Sequence, residues 1–211
     1  MDLLGAEKAL HQQGYQSIAC IDEVGRGCLC GPVTAAAVIL PKGLFLEGVN
    51  DSKKLSPKKR EKYFEVIQRE ALAIGIGEVS PEEIDEMNIK NATKKAMILA
   101  IENLRTRSGE KAVPDYVLVD AETLDTDIPQ EGIIQGDSKV QGIAAASIIA
   151  KVTRDSQLVK LAKTYPEYGL EKHKGYGTKV HREALKNFGP TPIHRKSFLK
   201  KMVLPKPKVD E

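Results

Sequence analysis

Short apolar runs alternate along this chain with longer amphipathic stretches. "SIACID" (17–22) and "VTAAAVIL" (33–40) are almost wholly apolar over strand length and predict two buried strands. Between them, "GRGCLCGP" (25–32) carries three glycines and a proline, which predicts a turn or short hairpin loop. "LAIGIGEV" (72–79), "DYVLVD" (115–120) and "EGIIQGD" (131–137) read as further strands, the last two closing on an acid. Helical spacing predicts helices over 2–13, 56–71, 80–87, 89–107, 139–165 and 178–189. Ser56–Pro57 and Ser80–Pro81 place a capping hydroxyl and a first-turn proline at two of these starts. Gly14 and the pair Gly189–Pro190 mark stops. Strands lead and alternate with helices, which predicts an α/β domain.

The length of 211 residues suits one large domain, or a domain with a small appendage. Aromatics are only 5% of the chain and Trp is missing, so aliphatic residues and Ala must fill the core. The tail "LPKPKVDE" (204–211) is rich in Pro and Lys and is expected to be disordered. No apolar stretch approaches the roughly 18 residues of a membrane span, and the start lacks a basic-then-apolar leader pattern. A cytoplasmic location is the expectation.

The net charge of +3 says little, but its distribution says more. "DSKKLSPKKREK" (51–62), "LEKHKGYGTKVHRE" (170–183) and "HRKSFLKK" (194–201) are basic. Any one of them reads as a solvated face; three in one small protein point toward nucleic acid. The three cysteines, Cys20, Cys28 and Cys30, form no even framework, as expected in a reducing compartment. Cys28 and Cys30 are too close for a zinc knuckle and have no second pair, so small buried or turn thiols are expected.

The sharpest signal is acidic. The strand candidates close on Asp22–Glu23, Asp120 and Asp137. Each alone would pass as a turn former. In open α/β sheets, however, strand ends are where ligand sites assemble, and four acids gathered there repel unless a cation sits among them. Carboxylate oxygens suit hard divalent ions, and two ions about 4 Å apart can activate water for phosphodiester cleavage. Beside the first pair, Gly25–Arg26–Gly27 reads as a tight turn, or as bare backbone open to a nucleic acid with a cation for its phosphate. From its flanking glycines alone, Tyr176 reads as a turn residue.

Taken together, "IDEVGRGCLCGPVTAAAVILP" (21–41), "DSKKLS" (51–56), "VLVDAE" (117–122), "QGDSKVQGIAAASIIAKVTRD" (135–155), "YPEYGLEKHKGYGTKVH" (165–181) and "PIHRKSF" (192–198) resemble the bacterial ribonuclease HII family, the type 2 ribonucleases H. The resemblance implies a ribonuclease H-like mixed β-sheet flanked by helices, with a small helical C-terminal part. It divides the chain into a catalytic domain (1–165), a substrate-binding extension (166–203) and the tail. It implies that Asp22, Glu23, Asp120 and Asp137 hold Mg²⁺ or Mn²⁺, two ions during catalysis. It puts Gly25, Arg26 and Gly27 against the ribonucleotide 2′-OH and Tyr176 on its sugar. Lys53, Ser138, Lys139, Ser147 and Lys151 become candidate phosphate contacts. Ser147, Lys151 and Asp155 share a helix face by their i, i+4, i+8 spacing, so Asp155 is expected to pair with a cation rather than a metal. His194 and Arg195 are expected to dock the C-terminal segment.

The implied activity is endonucleolytic hydrolysis 5′ to ribonucleotides in RNA–DNA hybrids and in duplex DNA, leaving 3′-hydroxyl and 5′-phosphate ends. It would serve to remove misincorporated ribonucleotides and RNA primers. A monomer is expected, with no sliding-clamp motif at the C-terminus. Two other readings stay open: a DNA-cleaving resolvase or transposase of the same fold, and a non-catalytic hybrid binder. The turn departs from the usual family pattern at Cys28 and Cys30, and Gly177 stands where proline is frequent.

Overall fold

The computed structural model describes residues 2–49 and 55–202. Lys53 and the 204–211 tail lie outside the described residues. The strands are β1 (Ile18–Val24), β2 (Val33–Ile39), β3 (Ala73–Val79), β4 (Arg105–Thr106), β5 (Tyr116–Asp120) and β6 (Gln130–Ile133). They form one sheet in the order β4-β3-β2-β1-β5-β6. β1 to β4 pair antiparallel, while β5 pairs parallel to both β1 and β6. The sheet is therefore mixed, as expected.

Helices cover both faces. On one side, Ala92, Ala96, Met97 and Ala100 of α4 (Ile89–Glu102) meet Ile21, Ala35, Ala37 and Val119. The approach is close enough that a Cβ on Gly75 or Gly77 of β3 would come within 2.0 Å of an α4 carbonyl. Glycine is needed at both positions because backbone, which cannot yield, occupies the space. On the other side, α6 (Gln141–Thr164) and α2 (Pro57–Glu70) pack Ala144, Ile148, Ile149 and Ile67 on Ala36 and Val38.

Both Ser-Pro starts form as predicted. Ser56 accepts from the Lys59 N–H at the head of α2. At α3 (Pro81–Met87), Ser80 and Glu83 make a reciprocal capping box, with bonds of 3.2 and 3.0 Å. At the N-terminus, α1 (Gly5–Gln12) forms within the predicted 2–13.

Three boundaries differ from the sequence pattern. The helix predicted to run to 107 stops at Glu102, because Asn103 donates its amide to the Ile76 carbonyl and turns the chain onto β3 as edge strand β4. β1 runs on through Glu23 to Val24, so the first two acids sit inside a strand rather than beyond it. β6 ends at Ile133, and Asp137 lies in a short helix, α5 (Gly136–Lys139), behind a left-handed Gln135. That turn is stabilised by the Gly136 N–H, which donates to Asp120 Oδ1 at 2.7 Å.

After α6 come a single 3₁₀ turn, α7 (Leu170–His173), α8 (Lys179–Phe188) and α9 (Lys196–Leu199). Their apolar residues Tyr168, Leu170, Leu185 and Leu199 gather on Leu158 and Ala162 of α6 and on Leu29 and Cys30 of the β1–β2 turn. The C-terminal part thus packs against the turn that follows the first acids. Among the described residues, no helix is long and apolar enough to cross a membrane.

Candidate active site

Strand register brings the first acids together. In the β1–β5 pair, Cys20 lies opposite Leu118 and Ile21 opposite Val119. One further step sets Asp22 beside Asp120, on the same sheet face by the two-residue alternation of strands, with backbones roughly 4.8 Å apart. Both side chains turn toward α6, which supplies Ser147 as a hydrogen-bond partner to Asp22. Glu23 points to the opposite face by that alternation. β5 ends at Asp120, so Glu23 still reaches the open end of the sheet.

A cavity of about 250 Å³ opens there, lined by Asp22, Glu23, Asp120, Gly25–Gly27, Arg60, Ser147, Lys151 and Tyr176 among others. Asp137 is buried next to it, one residue past the Gly136 N–H that holds Asp120, and is not among the lining residues. Burial, followed by the charges of Glu23 and Asp120, holds the Asp22 carboxyl well above the usual carboxylate range. Burial also raises Glu23; Arg26 pulls it down and Asp120 pushes it up. Glu23 Oε2 is buried with no hydrogen-bond partner among the described residues. An acid cluster that resists ionisation and holds an unpartnered buried oxygen has the donor chemistry for a hard cation.

The glycine turn is fixed from below by two fully buried arginines. Arg154 donates to the carbonyls of Pro32, Lys174 and Cys30, each at 2.9 Å. Arg195 donates to Gly31 O through Nε and Nη2 and to Arg26 O through Nη1 at 3.0 Å. Gly25 has φ +93°, and a Cβ there would lie 2.3 Å from Arg154 Nε. Gly27, by contrast, has nothing within 4 Å of where its Cβ would be, so its backbone is open. The Arg26 side chain is part-exposed and lies 3.4 Å from Glu23 and 3.7 Å from Glu122.

Tyr176 arrives from the far end of the sequence through a backbone bridge to Cys28, supported by the Leu29 N–H donating to Gly175 O at 2.8 Å. The residue is 40% exposed, enough to meet a ligand, and Lys151 Nζ lies 5.4 Å from the ring centroid. Lys151 also pairs with Asp155 at 2.9 Å, the partner expected for that acid. Ser138 and Lys139 are used locally, donating to Gln135 O and Ile134 O at the turn into α5.

Sequence reasoning overlooked Arg154, Glu122 and Arg60. For Arg154 a signal existed: it occupies the row 146, 150, 154, 158, 162 of α6, whose other members are Ala or Leu and all buried. A cation in such a row must have partners inside. Arg195 does dock the C-terminal segment, and does so by gripping the glycine turn.

The chain matches the family model for Ribonuclease HII over residues 19–201. It is 57% identical to Ribonuclease HII of Alkaliphilus metalliredigens over 203 residues, covering 96% of this chain and all of that one. It is 53% identical to Ribonuclease HII of Bacillus subtilis, covering 94% of this chain and 75% of that one. Among solved structures, ribonuclease H2 from Pyrococcus horikoshii superposes with a TM-score of 0.71 at 29% identity, over 86% of this chain and 93% of that one.

Proposed function

The chain belongs to the ribonuclease HII family, and is thus a ribonuclease H endonuclease; on that premise we propose that it cuts the phosphodiester 5′ to a ribonucleotide, in RNA–DNA hybrids and at ribonucleotides embedded in duplex DNA. The observation that carries the reading is the convergence of Asp22, Glu23 and Asp120 on one cavity walled by the Gly25–Gly27 turn and Tyr176.

Asp22, Glu23 and Asp120, with Asp137 behind them, would hold the divalent metal, Mg²⁺ or Mn²⁺. Two bound ions would supply activated water and stabilise the departing 3′ oxygen. Ser147 orients Asp22 by hydrogen bonding. The open backbone at Gly27, beside Gly25 and Arg26, faces the sugar and reads the 2′-OH, the group that separates RNA from DNA. Tyr176 stacks its exposed ring on that sugar. Lys151 and Arg60, in the cavity wall, take adjacent phosphates, with Ser138 and Lys139 as outer contacts. Arg26 leaves Glu23 for phosphate when substrate enters, freeing the carboxylate for metal. Water oxygen bonds to phosphorus as the P–O3′ bond breaks, giving 3′-hydroxyl and 5′-phosphate ends. Residues 166–203 act as the substrate-binding extension because they carry Tyr176. The cellular task is removal of misincorporated ribonucleotides and RNA primers.

Labelled duplexes holding zero, one or four ribonucleotides, incubated with Mg²⁺ or Mn²⁺, test this. Cleavage is expected only 5′ to ribonucleotides, abolished by Asp22→Asn with hybrid binding retained. On the single-ribonucleotide duplex, Tyr176→Ala is expected to cut poorly. Cleavage of all-DNA duplex would favour a resolvase-like enzyme, and metal-independent binding without cleavage a pure binder.

A further inference from the structure

Cys28 and Cys30 are too close in sequence to form a metal knuckle, yet the fold gathers a different donor set around one of them. Cys30 Sγ and one ring nitrogen each of His181 and His194 lie within 4.8 Å of one another, and all three residues are buried. His181 Nε2 and His194 Nε2 are 3.0 Å apart. The other ring nitrogens point outward to oxygen. His181 Nδ1 is 3.0 Å from the Tyr176 carbonyl, which can only accept, so this nitrogen carries the proton and Nε2 is a bare lone pair. His194 Nδ1 is 2.8 Å from Thr191 Oγ1 and 3.1 Å from Thr191 N. It can accept from the Thr191 N–H, leaving a proton on Nε2 to bridge the two rings. Donation to the Thr191 hydroxyl instead requires the Thr191 N–H to turn off Nδ1, and it is that rearranged state which turns both Nε2 lone pairs inward.

That second arrangement is how metal-bound histidines are held, each donating its remote N–H to an oxygen. The cage is braced. Cys30 and His194 are bridged through backbone, and the Cys30 carbonyl accepts from Arg154. His173 stacks on His181 at 4.4 Å. Burial holds both histidines down to about 4, in the neutral state that ligates metal, while it pushes the Cys30 thiol up to about 12, so the ion itself must displace that proton.

We propose that Cys30, His181 and His194 bind one thiophilic d¹⁰ cation, Zn²⁺ or Cu⁺, at a centre separate from the carboxylates. One sulfur and two imidazoles select such ions, whereas Mg²⁺ and Mn²⁺ go to the hard oxygens of Asp22 and Asp120. Zinc would take water as its fourth ligand; monovalent copper needs none. On binding, Cys30 gives up its thiol proton to solvent and the His194 proton moves from Nε2 to Nδ1, so one proton leaves per ion. His181 holds the Tyr176 carbonyl, so the ion would tie the Tyr176 loop to the glycine turn through Cys30.

Full-length protein in excess Mg²⁺, which keeps the carboxylates occupied, would be titrated with Zn²⁺ and, under anaerobic reducing conditions, with Cu⁺. Co²⁺ serves as the spectroscopic probe. One equivalent of Zn²⁺ or Cu⁺ should bind with release of one proton, raise the melting temperature, and be lost in Cys30→Ala but kept in Cys28→Ala. Co²⁺ should show a thiolate charge-transfer band in wild type. Equal retention by wild type and Cys30→Ala, or a wild-type Co²⁺ spectrum without that band, would overturn the proposal. The second readout decides even where a variant fails to fold.

Discussion

Arg154→Met should uncouple the two halves of the active-site wall. The guanidinium is fully buried and makes three hydrogen bonds, to Pro32 O and Cys30 O on the glycine turn and to Lys174 O next to the Tyr176 loop. A hydrogen bond to a charged group contributes about 1.5 kcal/mol at the lower end, so three come to about 4.5 kcal/mol. Methionine fills much of the volume and removes the cost of burying a cation, which offsets part of that loss. A net destabilisation of about 3 kcal/mol follows, or a fall in melting temperature of roughly 6–12 °C for a chain of this size. Arg154→Lys should recover little, because a single ammonium cannot span three carbonyls held on separate segments. Denaturant unfolding gives the stability, and cleavage of a duplex with one ribonucleotide gives the coupling to Tyr176. Both variants should lose more on that duplex than their folded fraction explains. An Arg154→Lys protein within about 1 kcal/mol of wild type and with wild-type cleavage would refute the reasoning.

Two further outcomes follow from the buried acids. Asp22 and Glu23 have carboxyls raised in the folded state, so their contribution to stability is fully present below the ordinary carboxylate range and declines as pH rises through their elevated values. Without divalent metal, Asp22→Asn should therefore raise the melting temperature at neutral pH, while the extra stability conferred by Mg²⁺ shrinks; an unchanged Mg²⁺ increment would count against the metal assignment. Glu7 does not line this cavity; it is bonded to the Gly142 N–H and the Cys20 thiol, and burial lifts it to about 7. Its contribution should be lost between 4.5 and about 7, so melting temperatures of Glu7→Gln should fall less steeply than those of wild type over that window.

Much of the fold was legible because its elements carry local signals. Both Ser-Pro helix starts, the apolar strands β1, β2 and β5, and the long helix α6 follow from patterns within a few residues. The acids were legible as a set: each alone would pass as a turn former, but four of them closing three apolar runs point to a cation site. Where local preference was weak, the boundaries moved. "RTR" after α4 could propagate a helix, and only the unpaired edge of β3 made it a strand. Asp137 looked like a strand end until a left-handed Gln135 and the Asp120 carboxylate turned the chain into α5.

The sequence by itself determined which chemical groups are available: four acids, a glycine-flanked arginine, a glycine-flanked tyrosine and a scattering of cations. It determined the alternation that sends Asp22 and Glu23 to opposite faces of β1, since strand period is a local property. Only the tertiary structure decided that β1 and β5 are neighbours in that register, and that the Tyr176 loop bridges to Cys28. It alone decided that Arg154 and Arg195 sit under the turn, and that Cys30 meets His181 and His194. Each of these is a contact between segments distant along the chain, and local propensity carries no information about which distant segment satisfies a buried charge or a bare carbonyl.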